Sequence, residues 1–343
     1  MLYKKTVVLG LATAASVGLA ACGAGEDANA QNKVNVEQNT IRVAYSLGTQ
    51  ANFYHALGEE LFAEHNVEVD ATEFASGPDL ITALVSGSAD VGVFGGPAII
   101  TANDSGADLQ IFTAGNDSAE MEALYVAPES GIKDIEDLRG RSVATIKNST
   151  PDFVLHYALM EADIPFEEVD VQYLGGQSLV PAFVRGDVDA VWAFNAIGAK
   201  LLASGGELVV SASDLGLPDP TSFMARKEFI AENEELLTRF TEAIFEATPV
   251  VNGDPEAAAS ALTTYAGLEN EQAQIINDIN PGTALTREKL LDPNNRASVV
   301  PGGGIENLLQ AQADTLEAME VIGNAPEVED MVTDRIVEAT TEE

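Results

Sequence analysis

The chain has 343 residues, of which 46% are hydrophobic, enough to bury a sizeable core in about two compact domains. Its 17 Lys and Arg residues against 55 Asp and Glu residues give a formal net charge of −38, a surface that repels nucleic-acid phosphates. One Cys and three His residues are too few for a structural zinc site or an internal disulfide. From the charge and this count together, we expect no nucleic acid, metal or cofactor.

The acidity of the chain has two interpretations. One is solubility, because net charge says little about the fold. The other is adaptation to a salty medium, where dissolved ions screen the repulsion between crowded carboxylates. The composition leaves both open, and the second, a halophilic protein, predicts that salt stabilises the fold.

The N-terminal residues have the pattern of an export signal. Two lysines precede an apolar stretch over residues 6–21, shorter than the ~20 residues that a membrane-spanning helix needs. The stretch ends in the letters LAAC, which resemble the lipobox of bacterial lipoproteins. The sequence therefore predicts a signal peptide over residues 1–21, a lipid on Cys22 and a flexible tether over residues 22–39. The alternative is an ordinary signal peptide with an incidental Cys.

From Thr40 onward, strand patterns alternate with helix patterns. The predicted elements are a strand at 41–45, a loop at 46–52, a helix over 53–61, a strand at 67–74, a helix from 77 to 87 and a strand at 90–94. Strands that alternate with helices at this pace predict an α/β protein with a parallel sheet covered on both faces.

An internal repeat appears when the chain is shifted along itself. Residues 74–94 then align without gaps on residues 173–193, and Asp90 meets Asp189. The repeated unit, a strand, a glycine loop, a helix and a second strand, suggests two α/β lobes of related build with a cleft between them. The alternative is that two such units of one sheet align by chance.

The segment around Ser149 is a candidate anion site. Ser149 or Thr150 can cap a helix whose first residue is Pro151. Free backbone N–H groups and the positive end of the helix dipole then face the preceding loop, as an anion ligand requires. The alternative is that these residues only cap the helix and that Asp152 already satisfies its dipole.

Four segments in register resemble the substrate-binding proteins of ABC importers in the nitrate, sulfonate and taurine group. They are residues 59–99, 123–150, 182–194 and 222–247. The resemblance implies a type II-like, two-lobed periplasmic binding protein fold, with a cleft between two doubly wound lobes.

The resemblance also implies that the chain crosses twice between its lobes. We place the crossings near residues 124–127 and 222–225. Lobe one then comprises residues 40–125 and 225–343, and lobe two comprises residues 126–224.

The loops that follow the strands touch the ligand in this family. The matching positions here are Ser46, Gln50, Gly96, Pro97, Asn116, Ser118, Ser149 and Thr150. Relatives often carry Trp-Glu-Pro or Trp-x-Pro after the GDVDA strand, whereas this chain has Phe194 and Asn195 there. We expect Phe194 and Asn195 to line the pocket, and this departure leaves the identity of the ligand open. Trp192 is expected in the core.

The charges near these loops favour a zwitterionic ligand. Lys147 is the only cation close in sequence, while Asp117, Glu120, Glu122 and Asp152 lie nearby. A plain anion is repelled by such a group, whereas a zwitterion places its ammonium against one carboxylate. A taurine-like aminosulfonate is therefore favoured over nitrate, unless all four acids point to solvent.

These features predict a solute-binding lipoprotein that works as a monomer with an ABC permease in the membrane, held on the outer face of the cytoplasmic membrane by its lipid. One alternative keeps the fold and binds an aminopyrimidine or another vitamin precursor, stacked on Phe53, Phe94 or Phe194. A non-transport surface protein and an enzyme are further alternatives. No catalytic role is assigned to any residue, because the sequence lacks a nucleophile elbow, a phosphate-binding loop and a His-Glu-x-x-His motif.

Overall fold

The computed structural model describes residues 39–45, 50–74 and 77–341. The predicted signal peptide, Cys22, most of the tether and Ser46 lie outside these ranges. None of the helices within them is both long and apolar enough to cross a membrane.

Ten strands form two sheets of five strands each. The strands are β1 (Thr40–Tyr45), β2 (Glu68–Glu73), β3 (Val91–Phe94), β4 (Leu109–Asp117), β5 (Ala123–Val126), β6 (Ser142–Thr145), β7 (Asp170–Tyr173), β8 (Ala190–Ala193), β9 (Glu207–Ser211) and β10 (Pro220–Arg226). The first sheet has the order β2-β1-β3-β10-β4 and the second has the order β7-β6-β8-β5-β9. In each sheet the strand in the fourth position, β10 or β5, runs antiparallel to both of its neighbours. The matching orders confirm the predicted α/β architecture of two related halves.

Fourteen helices lie within the described residues, alongside short 3-10 turns. They are α1 (Ala51–Gly58), α2 (Leu61–Glu64), α3 (Gly77–Val85), α4 (Gly96–Asp104), α5 (Thr150–Glu161), α6 (Gly176–Arg185), α7 (Asn195–Ala203), α8 (Lys227–Glu232), α9 (Glu234–Gly253), α10 (Pro255–Tyr265), α11 (Asn270–Ile279), α12 (Arg287–Leu291), α13 (Gly304–Ala318) and α14 (Arg335–Ala339). The single helix predicted over residues 53–61 is in fact two, because Glu60 adopts a left-handed conformation with φ of 60° and separates α1 from α2.

The repeat also extends to individual contacts. Asp90 Oδ2 accepts a hydrogen bond of 3.0 Å from the backbone N–H of Arg42, at the start of β1. Asp189 Oδ2 accepts one of 2.8 Å from the backbone N–H of Ser142, at the start of β6. Each aspartate thus links the residue before its own strand, β3 or β8, to the neighbouring strand, β1 or β6. The two units are equivalent in structure as well as in sequence.

The strand orders of the two sheets place the two crossings at other residues than predicted. Residues 123–126 form β5 of the second sheet, so the first crossing covers residues 118–122 instead of 124–127. Residues 220–226 form β10 of the first sheet, so the second crossing covers residues 212–219 instead of 222–225. Both predicted boundaries fall inside strands, β5 and β10. The apolar pattern of a buried strand is the same in either sheet, so it does not show which sheet the strand joins.

Each sheet has an apolar cluster on each of its two faces. Trp192, predicted in the core, has no exposed surface and packs in a cluster of the second sheet. The two halves also touch through their cores. Leu308 of α13 packs into that second-sheet cluster, and Ala196 and Ala199 of α7 pack into a cluster of the first sheet. The helices after residue 226 contribute mainly to the first-sheet clusters.

Candidate functional site

Two helix N-termini from opposite sheets meet at one contact. Helix α4 begins after β3 of the first sheet, and α5 begins after the loop that follows β6 of the second sheet. A Cβ atom placed on Gly95, the residue before α4, would collide with Thr150 Oγ1 at the start of α5. The two positive helix ends therefore lie side by side, an arrangement that attracts an anion.

Ser149 occupies the cap position of α5 but does not cap the helix. Its hydroxyl donates instead to the carbonyl oxygen of Ile146, at 2.5 Å, and it accepts no hydrogen bond from the first turn of α5. Of the two predicted capping residues, Thr150 is the first residue of the helix, and Ser149 stands at the cap position without a side-chain cap. Pro151 has no N–H, and the N–H of Phe153 donates to Ser149 O at 3.0 Å. The first-turn N–H groups that stay available to a ligand are therefore those of Thr150 and Asp152.

Asp152, in the first turn of α5, is buried and engaged with its own loop. Its Oδ2 accepts a 2.8 Å hydrogen bond from the backbone N–H of Asn148. Burial raises the pKa of Asp152, and the Asn148 hydrogen bond partly offsets this. Burial also lowers the pKa of His156, 3.7 Å away, to about 4, so this neighbour is neutral at neutral pH. Asp152 therefore stabilises the loop before α5 and does not point to solvent.

The helices α1 and α7 likewise begin without side-chain caps. Gln50, only 2% exposed, precedes α1, and Phe194 precedes α7. In contrast, Asp254 and Thr286, at the starts of α10 and α12, do accept hydrogen bonds from the first turns of those helices. Four helices that begin after strands thus have no side-chain cap, a feature that they share with other helices such as α6, α9 and α13.

Gln312, which was not predicted as a site residue, also lies at the start of α4. This glutamine of α13 is 1% exposed, and a Cβ atom on Gly96 would collide with its Oε1. The same oxygen accepts no hydrogen bond within the part of the chain that the structure describes. Pro97, beside Gly96, is buried in the first turn. The sequence analysis missed Gln312 because α13 lies far from the four matching segments.

Asn116 and Ser118 are hydrogen-bonded to each other where β4 leads into the first crossing. Asn116 Nδ2 donates to Ser118 Oγ at 2.7 Å, and the two residues are 3% and 1% exposed. A segment from the C-terminal half runs antiparallel beside them. The backbone N–H of Asp117 donates to Thr283 O at 3.1 Å, and that of Leu285 donates to Gly115 O at 2.8 Å.

A pocket opens beside this pair. It is lined by Asn116, by Asn195 at the start of α7 and by residues of α9, α10, α11 and the 280–284 segment. Its empty volume is about 390 Å³, part of it open to solvent. The predicted site residues therefore form two groups, one around the starts of α4 and α5 and one in this pocket. Asn116 and Asn195 belong to the second group.

A cation from the C-terminal half neutralises two of the four acids. Arg296 Nε lies 2.6 Å from Asp117 Oδ2, and Arg296 Nη2 lies 3.3 Å from Glu120 Oε1. Lys147, the only cation close in sequence to the mapped loops, is thus joined by Arg296, which is close in space. No local pattern points to Arg296, which is distant in the chain from both carboxylates.

Glu122 has no exposed surface and faces the indole of Trp192. Burial raises the pKa of Glu122 well above its usual range, the charge of Asp219 raises it further, and the indole partly offsets both. Burial, followed by the charge of Asp117, raises the pKa of Asp219 to about 7. Burial therefore favours the protonated form of Glu122. Because Asp117, Glu122 and Asp152 are all buried, the alternative that all four acids point to solvent is wrong.

The aromatic residues proposed for stacking are mostly in the core. Phe53 has no exposed surface and contacts the rings of Phe62 and Phe223. Phe94 is 7% exposed and packs in a core cluster. Only Phe194, which is half-buried, keeps a partly open ring. Among the described residues no group of three His, Cys, Asp or Glu side chains is placed to hold a metal ion.

Comparisons with known proteins agree with this architecture. The model of the family described as NMT1/THI5 like matches residues 49–258. A Brucella abortus relative named as a binding protein is 27% identical over 267 residues, which cover 76% of this chain and 81% of that protein. The taurine-binding periplasmic protein of Escherichia coli is 24% identical over 219 residues, which cover 63% of this chain and 68% of that protein. The crystal structure of the periplasmic aliphatic sulphonate binding protein SsuA from Escherichia coli superposes with a TM-score of 0.74 at 23% identity, covering 87% of this chain and 92% of that one.

Proposed function

The chain belongs to the NMT1/THI5-like family, and from this premise we propose that it is the solute-binding component of an ABC importer that captures a small organic sulfonate between its two sheets. It releases the sulfonate to a permease in the membrane and works as a monomer. The names of the two Escherichia coli relatives, a taurine-binding and an aliphatic sulphonate binding protein, support this ligand class. The relatives reported above are named as binding proteins, which favours capture over catalysis.

The contact between the starts of α4 and α5 carries this proposal. A sulfonate is a weak base whose three oxygens accept several hydrogen bonds, so neutral N–H and O–H donors hold it without a cation. The site offers two adjacent uncapped helix starts and the hydroxyl of Thr150. Because the donors come from opposite sheets, a ligand there holds the two halves of the molecule together.

A taurine-like aminosulfonate is the favoured member of the class. A chain of net charge −38 repels a plain anion more than it repels a zwitterion. The aminopyrimidine alternative is disfavoured, since two of its three candidate stacking residues, Phe53 and Phe94, are buried in core clusters and only Phe194 keeps a partly open ring.

The proposed lipid on Cys22 places the protein on the outer face of the cytoplasmic membrane. Cys22 lies outside the described residues, and the LAAC motif supports its role. Expression with and without a Cys22→Ser substitution tests the anchor. We expect the wild type in the membrane fraction and the variant in the soluble exported fraction, and equal partition of the two would refute it.

Calorimetry on the purified protein tests the ligand class. Taurine, ethanesulfonate, nitrate and an aminopyrimidine are titrated in turn, and we expect binding of the sulfonates. A ligand that binds only the folded state also raises the melting temperature, which gives an independent readout. Binding of the pyrimidine alone, or of none of the four compounds, would contradict the proposal.

A further inference from the structure

The pocket beside Asn116 is unusually rich in asparagine. It lies between the start of α7, which belongs to the second half of the molecule, and the helices α9 to α11 of the first half. Five asparagines line it, namely Asn116, Asn195, Asn252, Asn277 and Asn280. Carboxylates and cations are absent from its described lining.

Two of these asparagines present unused polar atoms to the pocket. Asn280 is 7% exposed, and neither its Oδ1 nor its Nδ2 has a hydrogen-bond partner within the described ranges. Asn116 Oδ1 is also unpartnered there, while its Nδ2 is held by Ser118. Buried amide groups are nearly always hydrogen-bonded in folded proteins, so these atoms call for a ligand or an ordered water.

The neighbouring asparagines show how a purely structural amide behaves in this pocket. Asn252 Nδ2 donates to Ala284 O at 3.0 Å, and Asn252 Oδ1 accepts from Ala284 N at 3.1 Å. Asn277 Nδ2 donates to Pro255 O at 3.0 Å. These two amides hold the backbone of the pocket wall, whereas Asn116 and Asn280 leave atoms free for something else.

We propose that this asparagine pocket binds the ammonium group of the captured aminosulfonate through the amide oxygens of Asn116 and Asn280. The inference rests on the proposed function. An ammonium has three donors and no acceptor, so two unpartnered carbonyl oxygens suit it.

The carboxylates nearby are poorly suited to this role. Asp117 and Glu120 are occupied by Arg296. Asp152 is held by the backbone of Asn148, and Glu122 is fully buried against Trp192. None of these four carboxylates lines the pocket, whereas Asn116 and Asn280 do, so a ligand in the pocket meets neutral amides.

Calorimetry with taurine and ethanesulfonate, which differ by the amino group, tests the inference on the exported chain. We expect the wild type to prefer taurine by about tenfold or more, and Asn280→Leu to abolish that preference while ethanesulfonate binding is kept. Gln274→Leu is the matched control, since it removes an exposed amide of the same helix α11 that does not line the pocket, and it should keep the preference.

Asn280→Asp provides a second variant that keeps the shape of the side chain. We expect it to retain taurine and to weaken ethanesulfonate, because the added negative charge attracts an ammonium and repels a plain sulfonate. Equal binding of both sulfonates by the wild type, or an unchanged preference in Asn280→Leu, would overturn the inference and leave the proposed function intact. If the wild type binds neither sulfonate, the proposed function fails and this inference fails with it.

Discussion

At the scale of single residues, the acids around the two crossings differ sharply in their surroundings. Asp117 has an ion pair with Arg296, while Glu122 and Asp219 have no basic partner among the described residues. A carboxyl group withdrawn from water without a cation favours its protonated form. The crossings therefore contain groups that stabilise the fold only while they hold a proton.

The pH dependence of stability follows from Asp219. Its folded-state pKa is raised to about 7, above the ordinary value of 3.8, so the folded chain binds the proton more tightly than the unfolded chain. Its contribution to stability is therefore present below its unfolded-state pKa and is lost as the pH rises towards about 7. We expect Asp219→Asn to be more stable than the wild type at about pH 8 and to show a flatter profile between about pH 5 and pH 8.

Urea unfolding at both pH values measures this effect. The exposed Asp104 serves as the control, and Asp104→Asn should leave the profile unchanged. A profile of Asp219→Asn parallel to that of the wild type would contradict the prediction.

Arg296 supplies a second prediction at this scale. Arg296→Ala leaves the buried Asp117 carboxylate without its charged partner, and we expect a loss of about 1–3 kcal/mol in the free energy of unfolding. Arg335→Ala removes a more exposed ion pair with Glu234 and should cost less than about 1 kcal/mol. Urea unfolding at neutral pH compares the two variants, and equal losses would show that burial of Asp117 does not matter.

At the scale of elements, the two halves meet through helix starts that lack side-chain caps. The approach of α4 to α5 favours glycine at position 95, since a Cβ there collides with Thr150 Oγ1 unless that side chain or one of the helices shifts. The backbone of Gly95, with φ of −83°, suits alanine, so the preference comes from the close contact and not from backbone conformation.

Gly95→Ala should therefore weaken ligand binding more than it weakens folding. Either Thr150 rotates its hydroxyl away or the two helix starts separate, and we expect the Kd for the sulfonate to rise about tenfold. Gly175 caps α6 with a similar backbone, and nothing lies within 4 Å of a Cβ placed there. Gly175→Ala is thus a matched control that should leave the Kd unchanged, and calorimetry that finds the same Kd for both variants would count against the helix-start site.

At the scale of the whole molecule, the net charge of −38 governs how stability responds to salt. If the carboxylate surface reflects a salty medium, screening of its self-repulsion should raise the melting temperature from low to molar NaCl. An uncharged osmolyte at the same osmolality controls for general solvent effects. A melting temperature unchanged by NaCl would leave solubility as the explanation of the acidity.

Much of the architecture could be read from local pattern. The alternation of strands and helices, the repeat that pairs Asp90 with Asp189 and the burial of Trp192 all follow from residues close together in the chain. Such features depend on backbone geometry and side-chain period, which neighbouring residues set. The crossings were misplaced by a few residues, because β5 and β10 carry the same apolar pattern whichever sheet they join.

The sequence by itself thus determined the family resemblance, the α/β layering and the glycines and donors at the helix starts. Only the tertiary structure decided that Arg296 neutralises Asp117, that Gln312 packs on Gly96 and that Asn280 lies in one pocket with Asn116. These partners come from the C-terminal helices and loops, far along the chain from the residues they meet. The physical reason is that charge pairing and burial depend on distance in space, which no periodic pattern along the chain records.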